Sequence, residues 1–313
     1  MAINPTGPVA EQVFRDAARG VLLYGVTPPR SATTPDRCDE IARRTLERLL
    51  PLDLDALIIY DVDAESDRSD QDRPFPFTPM MDPDQFRHRH LSGWTKPVIV
   101  YRAVGKYATS ELGSWLESAD PSQVLTVLVG ASSSDQEVRT GLADAYRLRS
   151  RLAPGLSLGG VLIAERHAGR GDEHLRMLRK QEAGCGFFVS QICYDLDHTR
   201  DLLSDYAYTC RDQGISARPV VVTLAPCGST KTLEFLTWLG IDVPRWMRND
   251  IVHSGDALQA SYEQCRAGAR MLIEFCRRLE LPFGINIESV TNRKVEIEAS
   301  VELAKEVRGL LGR

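Results

Sequence analysis

The sequence predicts a single (β/α)8 barrel, a TIM barrel, because eight apolar runs alternate with helical patterns along its 313 residues. This is about 39 residues per unit, which suits one strand and one helix in each of eight repeats. Most runs are continuously apolar, as expected for strands buried on both faces of a parallel sheet, and a helix lies between consecutive strands. An open doubly wound sheet is the alternative fold, but no Gly-x-Gly-x-x-Gly turn follows the first run. No linker divides the chain, so we expect one domain over residues 1–313.

The strands are predicted where short apolar runs end at polar or proline-containing turns, as at Thr27-Pro28-Pro29. In chain order they cover 21–26, 56–60, 97–101, 124–129, 157–164, 186–191, 219–224 and 284–287. Helices are predicted where apolar residues recur at spacings of three and four, over 35–50, 110–117, 134–152, 172–183, 199–213, 230–239, 257–279 and 294–311. A polar insert at about 61–82 interrupts this order. It contains Arg73-Pro74-Phe75-Pro76-Phe77, which is either a lid or aromatic wall over a site or a rigid surface segment.

The charge balance argues against nucleic acid or an anionic membrane as the main partner. Lys and Arg number 38 against 43 Asp and Glu, for a net charge of -5. The seven cysteines form no Cys-x-x-Cys pair, which favours reduced thiols in a cytoplasmic protein. Neither an apolar leader at residues 1–19 nor a run of 18 apolar residues occurs, so we expect no signal peptide and no membrane span.

In a barrel of this class, active-site residues lie at the carboxyl ends of the strands. Polar residues predicted there are Tyr24, Tyr60, Asp61, Tyr101, Arg102, Ser132, Ser133, Glu165, His167, Gln191, Tyr194, Cys227, Ser229, Thr230, Asn286, Glu288, Asn292 and Arg293. The last strand is the most informative, because Ile285 and Ile287 alternate with Asn286 and Glu288. The isoleucines suit the side that faces the helices, which points the amide and the carboxylate into the barrel. A buried carboxylate is costly unless it is paired, so Glu288 is predicted either to function there or to pair with an arginine such as Arg102 or Arg293.

No metal site is predicted. The histidines of Arg87-His88-Arg89-His90 are two residues apart and suit a solvated helix end, and no Cys/His cluster occurs. Residues 132–134, three serines, could form a phosphate-binding turn or could simply cap the helix that follows.

Several motifs resemble those of the methylenetetrahydrofolate reductase family, in the same order and spacing, between about Gly160 and Arg293. Glu165-Arg166-His167 resembles the family's Pro-Glu-x-His segment, and residues 178–184, LRKQEAG, resemble Leu-Lys-x-Lys-x-Asp-Ala-Gly. Residues 188–191, FVSQ, followed by Tyr194-Asp195, are similar to Ile-Thr-Gln-x-x-Phe-Asp. Residues 241–247, IDVPRWM, are similar to Val-x-Ile-Pro-x-Trp, and Asn292-Arg293 to the family's Leu-Asn-Arg.

The resemblance implies a (β/α)8-barrel enzyme that reduces a folate, with NAD(P)H as the reductant. It implies that Gln191 hydrogen-bonds the pterin or the nicotinamide, and that Arg293 binds the folate's glutamate tail. It assigns the phosphate and ribose of a flavin to His167, Glu173 and Lys180, with Glu165 in the same segment. Tyr60, Tyr101 and Asn286 would complete the substrate site.

The first half of the chain departs from the family pattern. Glycine at position 25 stands where the family has a glutamate that donates a proton to the pterin, and Val129-Gly130-Ala131 replaces Arg-Gly-Asp. Tyr60 and Tyr101 replace a threonine and a histidine that contact the flavin. We therefore expect no FAD and a direct transfer of hydride from NAD(P)H, as in some members of the family, with flavin-mediated transfer as the alternative.

Three functions fit these residues. The first is reduction of 5,10-methylenetetrahydrofolate to 5-methyltetrahydrofolate, with the missing acid replaced by Glu288 or, failing that, by Asp61 or Glu165. The second is transfer of a one-carbon unit from a folate without net reduction. The third is folate binding without catalysis, since a fold does not fix a function.

Overall fold

Eight parallel strands close into a barrel in the computed structural model, which describes residues 12–63, 72–130 and 137–312. The strands are β1 (Val21–Val26), β2 (Ala56–Ile59), β3 (Val98–Ala103), β4 (Val124–Val129), β5 (Ser157–Leu162), β6 (Cys185–Ile192), β7 (Val220–Leu224) and β8 (Phe283–Glu288). They pair in chain order, and β1 also pairs with β8, which closes the sheet. The predicted (β/α)8 barrel is therefore confirmed.

Eleven α-helices surround the barrel within the described residues. They are α1 (Pro35–Leu49), α2 (Pro83–His90), α3 (Thr109–Ser118), α4 (Leu142–Leu152), α5 (Ala164–Arg170), α6 (Glu173–Glu182), α7 (Leu196–Asp212), α8 (Thr230–Trp238), α9 (Arg245–His253), α10 (Ala257–Arg278) and α11 (Lys294–Leu311). Among the described residues, no helix is both long and apolar enough to cross a bilayer.

The fourth helix begins later than the sequence predicts. It starts at Leu142 rather than at residue 134, and the described residues 137–141 are not helical. Tertiary contacts hold this segment out of the helix: Thr140 Oγ1 donates to the carbonyl of Tyr107 at 2.8 Å, and the Arg139 amide donates to the carbonyl of Gly105 at 3.0 Å. The three serines at 132–134 lie outside the described residues. Helices α5 and α9 were not predicted, since seven and nine residues show too little periodicity to stand out.

The core has two layers, and side-chain alternation along each strand decides which layer a residue joins. The barrel interior holds Leu23, Ile58, Ile99, Tyr101, Leu125, Val127, Phe187, Val189 and Val221. The alternate residues of the strands face outward and form the layer between strands and helices. Ile285 and Ile287 on β8 belong to this layer, as predicted. Tyr24 also belongs to this outer layer, where its hydroxyl lies 2.6 Å from Ser300 Oγ on α11. Its predicted place in the barrel mouth is therefore wrong, because Tyr24 shares the parity of Leu22 and not of Leu23.

The insert between β2 and α2 reaches across the edge of the barrel mouth. The Phe75 ring packs edge-on against Phe235 of α8 at 5.3 Å, and the Arg73 guanidinium lies 4.8 Å from the centroid of Trp238. Helix α8 follows β7, so this segment passes the ends of β1 and β8, which lie between β2 and β7 in the closed sheet. A bridge between Arg30 and Met80 ties the insert to the loop after β1. The described part of the insert thus forms a wall beside the mouth.

Candidate active site

Three polar side chains converge at the carboxyl end of the barrel. Asn286 and Glu288 both point inward from β8, as their alternation predicts, and Tyr60 follows the last residue of β2. The Tyr60 hydroxyl donates to Glu288 Oε2. The Asn286 amide nitrogen lies 2.9 Å from the Tyr60 hydroxyl oxygen and 3.3 Å from Glu288 Oε2. These side chains come from opposite ends of the chain and meet because closure of the barrel brings β8 and β2 to either side of β1.

Gly25 makes this arrangement possible. It lies opposite Glu288 in the parallel register of β1 and β8. A Cβ at position 25 would come within 2.7 Å of the Tyr60 ring and 2.9 Å of Glu288 Oε2, which is closer than nonbonded atoms approach. The space that a side chain on β1 would take is therefore filled by the tyrosine of β2 and the carboxylate of β8.

Burial controls the protonation of this group. It raises the pKa of Glu288 to about 7, while the hydrogen bonds from Tyr60 and Asn286 lower it in part. Burial also raises the pKa of Tyr60 and of Tyr101, whose rings pack edge to face with centroids 4.9 Å apart. The two phenols are therefore protonated at neutral pH. Glu288 is present partly as the carboxylic acid and partly as the carboxylate at that pH.

The alternative prediction, an ion pair between Glu288 and Arg102 or Arg293, is not what the structure shows. Arg102 points outward from β3 and pairs with Asp82. The Arg293 guanidinium lies 3.2 Å from Glu296 Oε1. Among the described residues no ion pair to Glu288 is formed, so no positive charge offsets the cost of its burial.

Asn286 leaves one polar atom without a partner. The side chain is fully buried, and its Nδ2 also lies 3.3 Å from Thr223 Oγ1 of β7. Its Oδ1 has no hydrogen-bond donor among the described residues. A buried acceptor without a donor costs about 1–3 kcal/mol. The site therefore holds a buried acceptor that no described residue satisfies.

Asp61 belongs to a different cluster. Its Oδ2 accepts from the Ala103 amide at 2.9 Å and from the Tyr107 hydroxyl at 2.7 Å, and its Oδ1 lies 2.5 Å from Lys106 Nζ. Its side chain is only 2% exposed. These contacts anchor the loop after β3, and they place Asp61 on the opposite face of the chain from Tyr60.

Gln191 and Glu165 lie together on the rim opposite β1. Gln191 lies where the pairing register of β6 with β7 shifts, so the parity of Val189 does not fix its direction, and its Nε2 donates to the carbonyl of Leu239 at 3.0 Å. The Glu165 carboxylate, at the start of α5, accepts from the Asp242 amide at 3.3 Å, and its Oε2 is buried without a donor. Burial raises the pKa of Glu165. Both side chains thus contact the connection between α8 and α9.

Glu173 and Lys180 lie between β5 and α6. Glu173 is fully buried, and its Oε1 accepts from the Ile163 amide at 3.2 Å. The Lys180 ammonium donates to the carbonyl of Val161, and burial lowers its pKa. Both side chains hold α6 against the end of β5.

His167 lies among α5, α6 and α7. It is buried, its Nε2 lies 3.1 Å from Asp205 Oδ2, and its ring meets His174 edge to face at 5.3 Å. Ligand atoms of these three residues all lie within 4.8 Å of one another, and so do those of Asp195, His198 and Asp242. The expectation of no metal site stays a prediction.

The residues present do not fit a flavin as the resemblance would position it. The side chains assigned to its phosphate and ribose, His167, Glu173 and Lys180, are engaged with protein groups on the outer side of the barrel. In the mouth, the paired rings of Tyr60 and Tyr101 stand at the two positions where the family contacts the flavin ring. No step is therefore derived through a flavin. Ala131, the third replacement, lies outside the described residues.

Arg293 stands at the rim beside a buried acid that the sequence analysis missed. Glu296 is fully buried, and its Oε1 and Oε2 accept from Thr232 at 3.2 Å and from Thr291 at 2.7 Å. Arg293 bonds both Glu296 and the carbonyl of Gly228, while about half of its side chain stays exposed. In sequence, Glu296 looks like an ordinary acidic residue in the first turn of a helix. Only the structure shows that it ties the loops after β7 and β8 together.

Comparison with known proteins places the chain in a family. The methylenetetrahydrofolate reductase family matches residues 166–286. An uncharacterized protein from Clostridium thermocellum that binds two copies of 5-methyl-5,6,7,8-tetrahydrofolic acid is 38% identical, with a TM-score of 0.85, over 96% of this chain and 99% of its own. Two other structures are far more distant and carry no argument about function. A 2,3-dimethylmalate lyase is 11% identical, with a TM-score of 0.48, over 90% of this chain and 80% of its own. A GH10 xylanase from Thermobacillus composti is 13% identical, with a TM-score of 0.48, over 90% of this chain and 87% of its own. No curated protein matches the chain. The similarity to the folate-binding protein extends over nearly the whole length of both chains and includes residues 166–286, which match the family. On this ground the chain belongs to the methylenetetrahydrofolate reductase family.

Proposed function

We propose that this chain binds a reduced folate in the barrel mouth and reduces 5,10-methylenetetrahydrofolate to 5-methyltetrahydrofolate with NAD(P)H. The observation that carries this proposal is the Glu288 carboxyl, held by Tyr60 and Asn286 directly beside Gly25. The resemblance assigns the family's proton donor to position 25. In this chain a carboxyl oxygen comes within 2.9 Å of the point where the side chain of residue 25 would start. In this proposal the acid comes from β8, the strand beside β1, and acts from next to position 25.

The reaction needs one proton and one hydride. Protonation of the folate opens the methylene bridge to an iminium cation at N5, and the hydride then reduces that cation to the methyl group. NAD(P)H supplies the hydride and leaves as NAD(P)+. A general acid works best when its pKa lies near the working pH, and the pKa of Glu288, raised to about 7, meets that condition.

The surrounding side chains support Glu288 in this role. The Tyr60 hydroxyl and the Asn286 amide fix the position of Oε2, so the carboxyl needs no reorganisation when it transfers the proton. The amide of Gln191, which is partly exposed, offers polar groups to the pterin, whose edge carries both donors and acceptors. Arg293 at the rim, half exposed, suits the carboxylates of the glutamate tail.

Folate binding without reduction is the second candidate. One observation favours it: the Clostridium thermocellum relative binds the 5-methyl form, which is the product of the proposed reaction. By the same likeness we propose that this chain also takes up two folate molecules.

The experiment that tests the proposal follows oxidation of NADH and of NADPH by the purified chain in the presence of 5,10-methylenetetrahydrofolate. We expect one nicotinamide oxidised for each 5-methyltetrahydrofolate formed, without added flavin. Tight binding of 5-methyltetrahydrofolate with no oxidation of either nucleotide would show that the chain does not reduce the folate. Folate binding without reduction would then be its function.

A further inference from the structure

Two histidines and an aspartate meet on the outer side of the barrel, away from the mouth. His167 lies on α5, His174 on α6 and Asp205 on α7, and these three helices pack against one another. One ring nitrogen of each histidine and one carboxylate oxygen of Asp205 lie within 4.8 Å of one another. No short sequence motif marks this cluster, because its members come from three helices, and it takes no part in the reaction proposed above.

Hydrogen bonds within the protein do not satisfy the two histidines. His167 is only 6% exposed, and its Nε2 lies 3.1 Å from Asp205 Oδ2, but its Nδ1 is buried without a partner among the described residues. His174 Nδ1 is buried without a partner as well. Buried polar atoms are nearly always satisfied in folded proteins. Two such nitrogens on rings that meet edge to face therefore indicate that a bound group completes the cluster.

A metal ion accounts for these nitrogens without an open cavity. Zn²⁺ holds imidazole nitrogens and carboxylate oxygens at about 2.0–2.2 Å, so the ligand atoms of a tetrahedral site lie roughly 3.3 Å apart. Small rotations of the three side chains bring the atoms of this cluster to that spacing. Ligand atoms so close together leave no room for a water molecule between them, so a nitrogen that water does not reach can still bind a metal.

The charges around the cluster suit a cation. Asp205 pairs with no lysine or arginine in the described part of the chain, and about half of its side chain is exposed. Asp172 precedes α6 without capping it, and its Oδ1 accepts no hydrogen bond, although Arg176 Nε lies 3.7 Å away. Burial lowers the pKa of His174, and the nearby carboxylates of Asp205 and Asp172 only partly oppose this. The imidazole of His174 is therefore mostly neutral at pH 7 and keeps a lone pair for a ligand bond.

We propose that His167, His174 and Asp205 bind a divalent transition metal of the zinc class. Two imidazoles and a carboxylate suit Zn²⁺, Co²⁺ and Ni²⁺, whereas Mg²⁺ and Ca²⁺ take oxygen ligands. Water completes the coordination from the exposed side of Asp205. The ion joins α5, α6 and α7, and α5 carries Glu165 at the rim, so the metal fixes helices beside the mouth. This proposal replaces the sequence-based expectation of no metal site, and it does not depend on the proposed reaction.

The test is a calorimetric titration of the chelator-treated full chain with Zn²⁺. We expect Zn²⁺ to bind and the melting temperature to rise with its free concentration, because the ligands come together only in the folded chain. His174→Gln and Asp205→Asn should each weaken the affinity at least about tenfold. Both side chains are partly exposed, so these variants should fold. His253→Gln is the matched control, because His253 is exposed on α9 and lies outside the cluster.

The outcomes separate this cluster from the other arrangements. No binding of Zn²⁺ to the unmodified chain, or binding that His174→Gln leaves unchanged, would overturn the inference. His198→Gln tests the neighbouring group of Asp195, His198 and Asp242, and a loss of Zn²⁺ confined to that variant would place the metal there and reject the assignment. Mg²⁺ bound as tightly as Zn²⁺ would rule out ligation by the two imidazoles. Oxidation of NAD(P)H is not a readout here, so failure of the proposed reaction leaves the test intact.

Discussion

Replacing the carboxyl of Glu288 with an amide separates its chemical role from its structural one. Glu288→Gln keeps the volume of the side chain and an oxygen that can accept from Tyr60 and Asn286. It removes only the transferable proton. Because general acid catalysis contributes ~10²–10⁴-fold, turnover should fall by about that factor while folate affinity stays nearly the same.

The stability change can be worked out from the pKa. Burial raises it from 4.5 to about 7, and each pKa unit corresponds to 1.36 kcal/mol, so the ionised carboxylate costs the fold about 3 kcal/mol. The native state holds this proton more tightly than the unfolded state does. The free energy of unfolding is therefore unaffected below about pH 4.5 and falls as the pH rises from there to about 7. Above pH 7 the whole cost of about 3 kcal/mol is present. Glu288→Gln should thus match the unmodified chain at pH 4.5 and exceed it by about 3 kcal/mol at pH 8.

Two measurements on the one variant check this reasoning. Urea unfolding at pH 4.5 and at pH 8 gives the free energy of unfolding, and turnover from pH 6 to pH 9 gives the rate profile. The unmodified chain should lose activity about tenfold per pH unit above pH 7, as the acid form disappears. The variant should be slow and flat over the same range. Glu165→Gln is the comparator, since burial raises the pKa of that carboxyl too.

Either of two results would refute the argument. Full activity in Glu288→Gln would show that the proton comes from elsewhere, and a loss confined to Glu165→Gln would name the other acid. A variant less stable than the unmodified chain at pH 8 would show that Glu288 has an ionic partner.

Three other predictions follow from the same site. Gly25→Ala should destabilise the fold by about 1–3 kcal/mol in urea unfolding and slow turnover, because its Cβ would displace Tyr60 and Glu288; a neutral effect on both would contradict the packing described. Gln191→Ala should weaken folate binding in calorimetry by ~1–3 kcal/mol if its amide meets the pterin, and an unchanged affinity would remove it from the site. The purified chain should be colourless, and a stoichiometric flavin absorbance released on denaturation would disprove this.

The barrel and the direction of the β8 side chains were predictable because they depend on local patterns. Continuous apolar runs separated by helices mark parallel buried strands. The alternation of Ile285 and Ile287 with Asn286 and Glu288 is read over five residues, and it correctly turns the last two inward. Tyr24 carries no such signal, because β1 is apolar at both parities, and only the structure shows that it faces the helices together with Leu22.

The contacts that define the site could not be read from the chain, because they depend on closure of the barrel. The eight strands, the inward carboxylate and the glycine at position 25 all follow from the amino-acid pattern. The folded barrel adds that Tyr60, 228 positions before Glu288, bonds that carboxylate across β1, and that Gly25 has no room for a side chain. It also turns His167, Glu173 and Lys180 toward the helices and away from the mouth. This division arises because a strand's own pattern sets which face a residue takes, whereas the register between distant strands sets which residues meet.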